Sequence, residues 1–247
     1  MKNIQGKSAL VTGAAKRIGR AIALELARQG VHIVLHYNQS AADVENAAYE
    51  VRACGVNAWI VQADLNDLTQ ADALFATAKE NAGILNILIH SASIFPQNRV
   101  TDFRRDEFFQ NMTVNALAPL WLSRAFARQE TEGVIINLLD TRILDYDADH
   151  AAYHLSKRLL FTLTKMLSLE LAPAIRVNGV APGLILPPPG EDESYLEQRK
   201  HTNPLHRTGH LPDLTEAVLF LLRSDFITGQ VIYVDGGRHL KGTVYGS

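Results

Sequence analysis

Residues 84–90, Ile-Leu-Asn-Ile-Leu-Ile-His, carry no apolar–polar alternation. A strand with that pattern is buried on both faces, so its sheet needs helices on both sides. The rest of the chain supplies them. Apolar runs at 8–12, 31–36, 56–62, 134–139, 175–180 and 230–234 are separated by amphipathic segments at 17–29, 41–53, 69–81, 101–129, 150–171 and 214–223. Strands joined through single helices imply right-handed crossovers and a parallel sheet. The expected fold is α/β, a doubly wound parallel sheet of about seven strands. No linker interrupts the pattern, so residues 1–247 are expected to form one domain. The segment 184–211 is rich in Pro, Gly and charge. An irregular stretch of that length in a compact domain is more often a functional lid than a plain connection.

Bulk properties remove several function classes. The 247 residues are 47% hydrophobic and 20% charged, with a formal net charge of −2. No basic block exists that would neutralise a phosphate backbone, so nucleic-acid binding is not expected. No apolar run is long enough to cross a membrane, and residues 1–7 lack the apolar core of a signal peptide. The single cysteine, Cys54, cannot form an internal disulfide. A cytoplasmic location is therefore expected. No metal site is expected.

Thr12-Gly13-Ala14-Ala15-Lys16-Arg17-Ile18-Gly19 joins the first strand to the first helix. A doubly wound fold binds a dinucleotide at this place. Gly13 permits a sharp turn, Gly19 lets the helix start close to the sheet, and the helix N-terminus offers free N–H groups to a pyrophosphate. Arg17 occupies a slot where many nucleotide turns have glycine. Its guanidinium could pair with phosphate or reach a substrate. At the end of the second strand, His36-Tyr37-Asn38-Gln39-Ser40 places no carboxylate before Asp43. A carboxylate there would repel a ribose 2′-phosphate, so its absence favours NADP over NAD, although no Arg or Lys follows in the loop. Asp64, with Leu65 after it, is placed either to meet an adenine or to cap a turn.

Tyr153 and Lys157 stand at i and i+4 and share one helix face. A phenol titrates near pH 10, and a nearby ammonium would lower that value toward useful proton exchange. Lys157 can also hold a cofactor ribose. Asp140 follows the fifth strand, at the strand edge that faces the ligand crevice. Asn115 lies within a long helical stretch, where a poor helix former can support a kink or bind water.

These residues together resemble the short-chain dehydrogenase/reductase family over essentially the whole chain. Thr12-Gly13…Gly19, Asn115, Tyr153…Lys157, Pro182-Gly183 and Val234-Asp235-Gly236-Gly237 match its pattern in order and spacing. The resemblance implies a Rossmann-type sheet of seven strands, usually in a homotetramer. It also implies cofactor contacts from Lys16, Ile18, Ser91, Ala92, Pro182, Gly183 and Leu184. Three departures narrow the choice: Arg17 replaces the usual middle glycine, His90-Ser91-Ala92-Ser93 replaces Asn-Asn-Ala-Gly, and Asp140 replaces the catalytic serine. All three resemble the pteridine reductase branch. His90-Ser91-Ala92-Ser93 with Gly236-Gly237-Arg238-His239-Leu240 is especially similar to the bacterial dihydromonapterin reductases. In that branch the residues at the Arg17 and Ser93 positions contact cofactor phosphates and pterin, and the one at Phe95 sandwiches pterin against nicotinamide. Gln39 departs from the branch, which normally has a basic residue there.

The expected activity is NADPH-dependent reduction of a 7,8-dihydropterin to the tetrahydro form. A pterin presents C=N bonds, whose nitrogen gains a proton as hydride reaches the adjacent carbon. A carboxyl at Asp140 suits that task, whereas serine suits a carbonyl. Asp140, Tyr153, Lys157 and Asn115 are the expected catalytic set, with Asn115 holding a water that links Lys157 to solvent. Arg17, Ser93, Phe95, Asp140 and Tyr153 are the expected substrate contacts. Asp145, Asp147 and Asp149 could contact substrate amino groups, although a solvated acidic loop is the stronger expectation. Two alternatives stand beside this: a 3-oxoacyl thioester reductase of the same family, and a non-catalytic NADP-binding sensor.

Overall fold

A computed structural model describes residues 1–145, 147–188 and 190–241. Seven strands form one parallel sheet: β1 (Ser8–Thr12), β2 (His32–Tyr37), β3 (Ala58–Gln62), β4 (Ile87–His90), β5 (Gly133–Leu138), β6 (Ile175–Pro182) and β7 (Val231–Val234). Their order is β3-β2-β1-β4-β5-β6-β7. The chain leaves β1 toward β2 on one side and returns to β4 on the other. The crevice opens at that reversal, beyond the C-terminal strand ends.

Two apolar layers flank the sheet. On one face α1 (Arg17–Arg28), α2 (Ala41–Ala53) and α8 (Leu211–Arg223) pack Ile22, Leu26, Val51 and Val218 against Ile33 and Leu35. On the other, α3 (Leu68–Ala82), α5 (Ala118–Ala127) and α6 (Ala151–Glu170) pack Leu74, Phe126, Leu160 and Leu167 against Leu10 and Ile135. In β4 this explains the missing alternation: Ile87 and Ile89 enter the first layer and Leu88 the second.

The structure differs from the sequence-based expectation at several boundaries. β3 begins at Ala58 and β4 at Ile87, two and three residues later than read. Before β4, Ile84 is exposed and Leu85 is buried outside the strand ladder, its N–H donating to the Gln129 side chain. The stretch read as one helix over 101–129 is α4 (Arg105–Met112), a π turn over Thr113–Leu117, and α5. Helix α8 starts at Leu211, because Pro212 suits a first turn and Asp213 accepts the His210 N–H. Among the described residues of 184–211 there is a short α-helix, α7 (Glu193–Arg199), capped by Asp192 accepting the Ser194 N–H at 2.9 Å, and a 3-10 turn over Lys200–Thr202. Pro189 of that segment lies outside the described residues. Among the described residues no helix is long and apolar enough to cross a membrane.

Candidate active site

A cleft of about 450 Å³ opens over the C-terminal ends of β1, β4, β5 and β6. Its floor is the first turn. Gly13 has φ +66°, and a Cβ there would lie 2.8 Å from the Ala92 Cα, so turn and β4 loop touch backbone to backbone. Thr12 Oγ1 welds that contact by accepting N–H bonds from Ser91 and Ala92 at 3.0 and 3.1 Å. A Cβ on Gly19 would meet the Gly13 oxygen at 2.2 Å. The start of α1 carries no side-chain cap. Its first-turn N–H groups and partial positive charge are thus left for an anion, which fits a dinucleotide pyrophosphate.

Arg17 adopts φ +55°, the left-handed region that glycine occupies freely. The strained backbone aims the guanidinium across the cleft, where it donates to the Pro187 carbonyl at 2.6 Å. Lys16 pairs with Asp43 in the first turn of α2 at 2.9 Å. The sequence showed no cation in the β2 loop, and the fold brings Lys16 from the neighbouring turn to the start of α2, where Asp43 holds it.

His36 lies beneath the turn and does not face the cleft. Its Nδ1 accepts the Gly13 N–H at 3.1 Å, so Nε2 carries the proton and donates to the Ala63 carbonyl at 3.1 Å. Burial pushes its pKa down to about 4, which keeps this arrangement neutral. Asn38 donates to Asp64 at 3.3 Å on the exposed rim, and Asp64 also accepts the Asn66 N–H. Asp64 is therefore both a turn cap and a rim group. Leu65 is buried in the layer of α3, α5 and α6, Tyr37 packs partly buried against the opposite layer of α1, α2 and α8, and Ser40 precedes α2 without capping it.

The reactive groups converge on α6. Tyr153, Lys157, Leu160, Thr164 and Leu167 are all buried along that helix, so core packing aims the first two at the sheet edge. Tyr153 Oη donates to Asp140 Oδ2 at 2.9 Å, and Asp140 Oδ1 accepts the Arg142 N–H at 2.7 Å. Lys157 Nζ donates to the Leu138 carbonyl at 2.8 Å. Burial brings the ammonium down to about 8, against the pull of the Asp140 charge. The expectation that Lys157 makes Tyr153 more acidic is corrected here. Burial, and then the Asp140 carboxylate, hold the phenol well above its ordinary range. Tyr153 is a retained proton donor whose partner is Asp140.

Asn115 sits in the π turn that interrupts the α4–α5 stretch. Its Oδ1 accepts the Ile94 N–H at 2.9 Å, while Nδ2 donates to the Ile94 carbonyl and to Ser156 Oγ, both at 3.0 Å. With both amide hydrogens engaged, this side chain holds the loop after β4.

Ser91, Ala92, Ser93 and Phe95 line the cleft opposite α1, and Pro182 and Gly183 close it below. Leu184 faces an adjoining cavity with Asn203 and Gly209. Phe95, 41% exposed, meets Tyr153 edge-on at 4.5 Å between centroids. Its ring also stacks on His150 at 3.8 Å and 10°. One face of Phe95 is thus already covered. The acidic loop is folded inward more than expected: Asp147 binds Arg142, His150 and His154, and Asp149 binds Arg99. Burial of the Asp147 carboxyl opposes ionisation, but the His154 and His150 bonds hold it far below the usual carboxylate range. Neither aspartate lines the cleft. Leu138, Leu139, Leu186 and Pro188 do line it and were missed, since nothing local marks an apolar wall residue.

A nucleotide-type turn at the switch point, opposite a buried Tyr–Lys pair, defines a dinucleotide-dependent oxidoreductase. The comparisons agree. A family model described as enoyl-(acyl carrier protein) reductase matches residues 13–239. The 3-oxoacyl-[acyl-carrier-protein] reductase FabG of Staphylococcus aureus is 32% identical over 242 residues, 95% of this chain and 98% of that one. Among solved structures, FolM alternative dihydrofolate reductase 1 of Brucella canis, complexed with NADP, superposes with a TM-score of 0.89 at 32% identity, covering 96% of both chains. The Brucella suis FolM complex with NADP gives 0.91, also at 32% identity over 96% of both. The chain belongs to the short-chain dehydrogenase/reductase family.

Proposed function

We propose that this protein reduces a 7,8-dihydropterin to its tetrahydro form with NADPH. The observation that carries the reading is the Tyr153–Asp140 hydrogen bond of 2.9 Å, a carboxylate paired with a phenol that keeps its proton. Both FolM neighbours, named as alternative dihydrofolate reductases, lend support. NADPH supplies the hydride. The chain's own groups handle position and proton. The α1 N-terminus, Gly13 and Gly19 form the pyrophosphate cradle. Lys16 offers a cation beside the β2 loop, which favours a 2′-phosphate and offsets the neutral Gln39. The Lys157 ammonium, fixed by Leu138, keeps hydrogens free for a ribose hydroxyl. In this reading Tyr153 and Asp140 give N5 of the C6=N5 bond its proton, and that proton returns to the pair from solvent. Phe95 offers its uncovered face to the pterin, with His150 backing the other. Leu186 and Pro188, with Arg17 bonded to Pro187, support the 184–211 segment as a lid.

The alternative, a 3-oxoacyl thioester reductase, draws on the similarity to FabG. Asp140 weighs against it, because a carbonyl oxygen that gains negative charge needs hydrogen-bond donors, and the usual serine supplies one at this position. A panel of dihydromonapterin, dihydrobiopterin, dihydrofolate and acetoacetyl thioester, followed by NADPH oxidation, separates the two. Turnover of the thioester alone would sink the pterin reading. Y153F should abolish turnover and leave NADPH binding largely intact; turnover with no partner on the panel would leave only the sensor.

A further inference from the structure

Beside the cleft lies a second, smaller hollow of about 160 Å³, walled by Thr141, Arg142, Arg238, His239 and Lys241, with Asp145 as its one acid. Its nearest edge is one residue from Asp140. The walls are built rigidly. Asp235, itself buried, accepts the Thr141 hydroxyl and the N–H groups of Gly237 and His239, at 2.9 and 2.8 Å for the latter two. Gly236 and Gly237, at φ +64° and +84°, turn the chain sharply after β7. Together these clamp the Arg238 turn against the Asp140–Arg142 turn.

Three of the four basic groups are already engaged. Arg142 pairs with Asp147 at 3.2 Å, His239 with Asp235 at 2.9 Å, and Lys241 donates to the His201 carbonyl at 2.9 Å. Arg238 is half-buried, and among the described residues its guanidinium has no hydrogen-bond or ion-pair partner. Burial, and then the Arg142 charge, depress its pKa, while Asp140 acts the other way. A planar five-donor cation left unpaired next to a second guanidinium is an arrangement that a two- or three-oxygen anion would resolve.

Geometry says where such an anion would come from. In a 7,8-dihydropterin the C6 substituent grows from the carbon that receives hydride, next to the N5 that gains the proton. If Asp140 and Tyr153 serve N5, the substituent starts beside Asp140 and its far end can reach the adjoining hollow. We propose that the Arg142–Arg238 hollow is a subsite for an anionic group, carboxylate or phosphate, at the end of the C6 substituent. This rests on the pterin reading above. It makes the preferred substrate a dihydropterin with an acidic tail, and Arg238 its specificity determinant.

The test is a ratio, which cancels any general loss of activity. kcat/KM is measured for dihydrofolate (carboxylate tail), dihydroneopterin monophosphate (phosphate tail) and dihydrobiopterin (neutral tail), in the wild type, R238L and R238K. The wild type should favour at least one acidic substrate over dihydrobiopterin by about tenfold, the scale of one charge-assisted hydrogen bond. R238L should bring that ratio near one, and R238K should restore part of it. Which acidic substrate responds identifies carboxylate or phosphate. No wild-type preference, or a ratio unmoved in R238L, overturns the subsite while leaving the pterin reading intact. Failure to turn over any of the three overturns the pterin reading itself, and the subsite with it.

Discussion

Arg17 offers a clean separation of backbone strain from side-chain function. Its φ of +55° places an arginine in the left-handed region. That conformation costs a residue with a Cβ about 1–2 kcal/mol. Glycine escapes that cost but gives back about 0.4–1 kcal/mol through the larger freedom of its unfolded chain. R17A and R17G both lose the 2.6 Å bond to the Pro187 carbonyl, so their difference isolates the backbone. R17G should be the more stable by about 1 kcal/mol. For a chain of this size that is a difference in Tm of about 2–4 °C, measured by calorimetry without cofactor. Both variants should raise the KM for NADPH, because neither carries a guanidinium over the phosphate turn. An R17A melting at or above the temperature of R17G would refute the argument, since the strain would then be absent or absorbed elsewhere.

Other perturbations test different parts of the site. Lys157 titrates near 8 in the folded chain and at its ordinary 10.5 when unfolded. Between those values the unfolded chain binds more protons, so the burial penalty on the ammonium, about 3 kcal/mol, lifts as pH rises. Urea melts of wild type and K157M at pH 7 and 9.5 should show the wild type gaining on the variant, and NADPH affinity should fall above pH 8 as the ammonium is lost. In G19A the new Cβ would meet the Gly13 carbonyl at 2.2 Å. The displaced backbone should cost about 1–3 kcal/mol in denaturant melts, and cofactor titration should show weaker binding. D140S removes the carboxylate that holds the Tyr153 proton in place. Dihydropterin kcat should fall about 100-fold or more, and the alkaline limb of the pH–rate profile should move to lower pH.

The layered α/β fold was legible because burial leaves a signature in composition along each segment. The two-sided burial of β4 shows as an unbroken apolar run, and the half-buried helices show as a 3.6-residue period. Boundaries were less legible where something other than apolar spacing set them. Helix α8 begins where Pro212 and Asp213 begin it, and α7 is too short for a period to register. The π turn at Thr113–Leu117 has the same apolar content as the helix around it. Asn115 marked the place, but its hydrogen bonds to Ile94 belong to a loop 21 residues away in sequence.

The sequence by itself determined the parallel sheet, the phosphate turn and the Tyr153–Lys157 face, because each depends on neighbours within a few residues. Even the unusual Arg17 was visible as a residue in a glycine's place. Only the tertiary structure decided what these groups do to one another. Electrostatics and burial act through space: Asp140 holds the Tyr153 proton instead of Lys157 releasing it, Lys16 pairs with Asp43 at the start of α2, and His36 is turned inward to carry Gly13. Arg238 joined none of these groups in the linear chain, and the turn after β7 folds it into one hollow with Thr141 and Arg142.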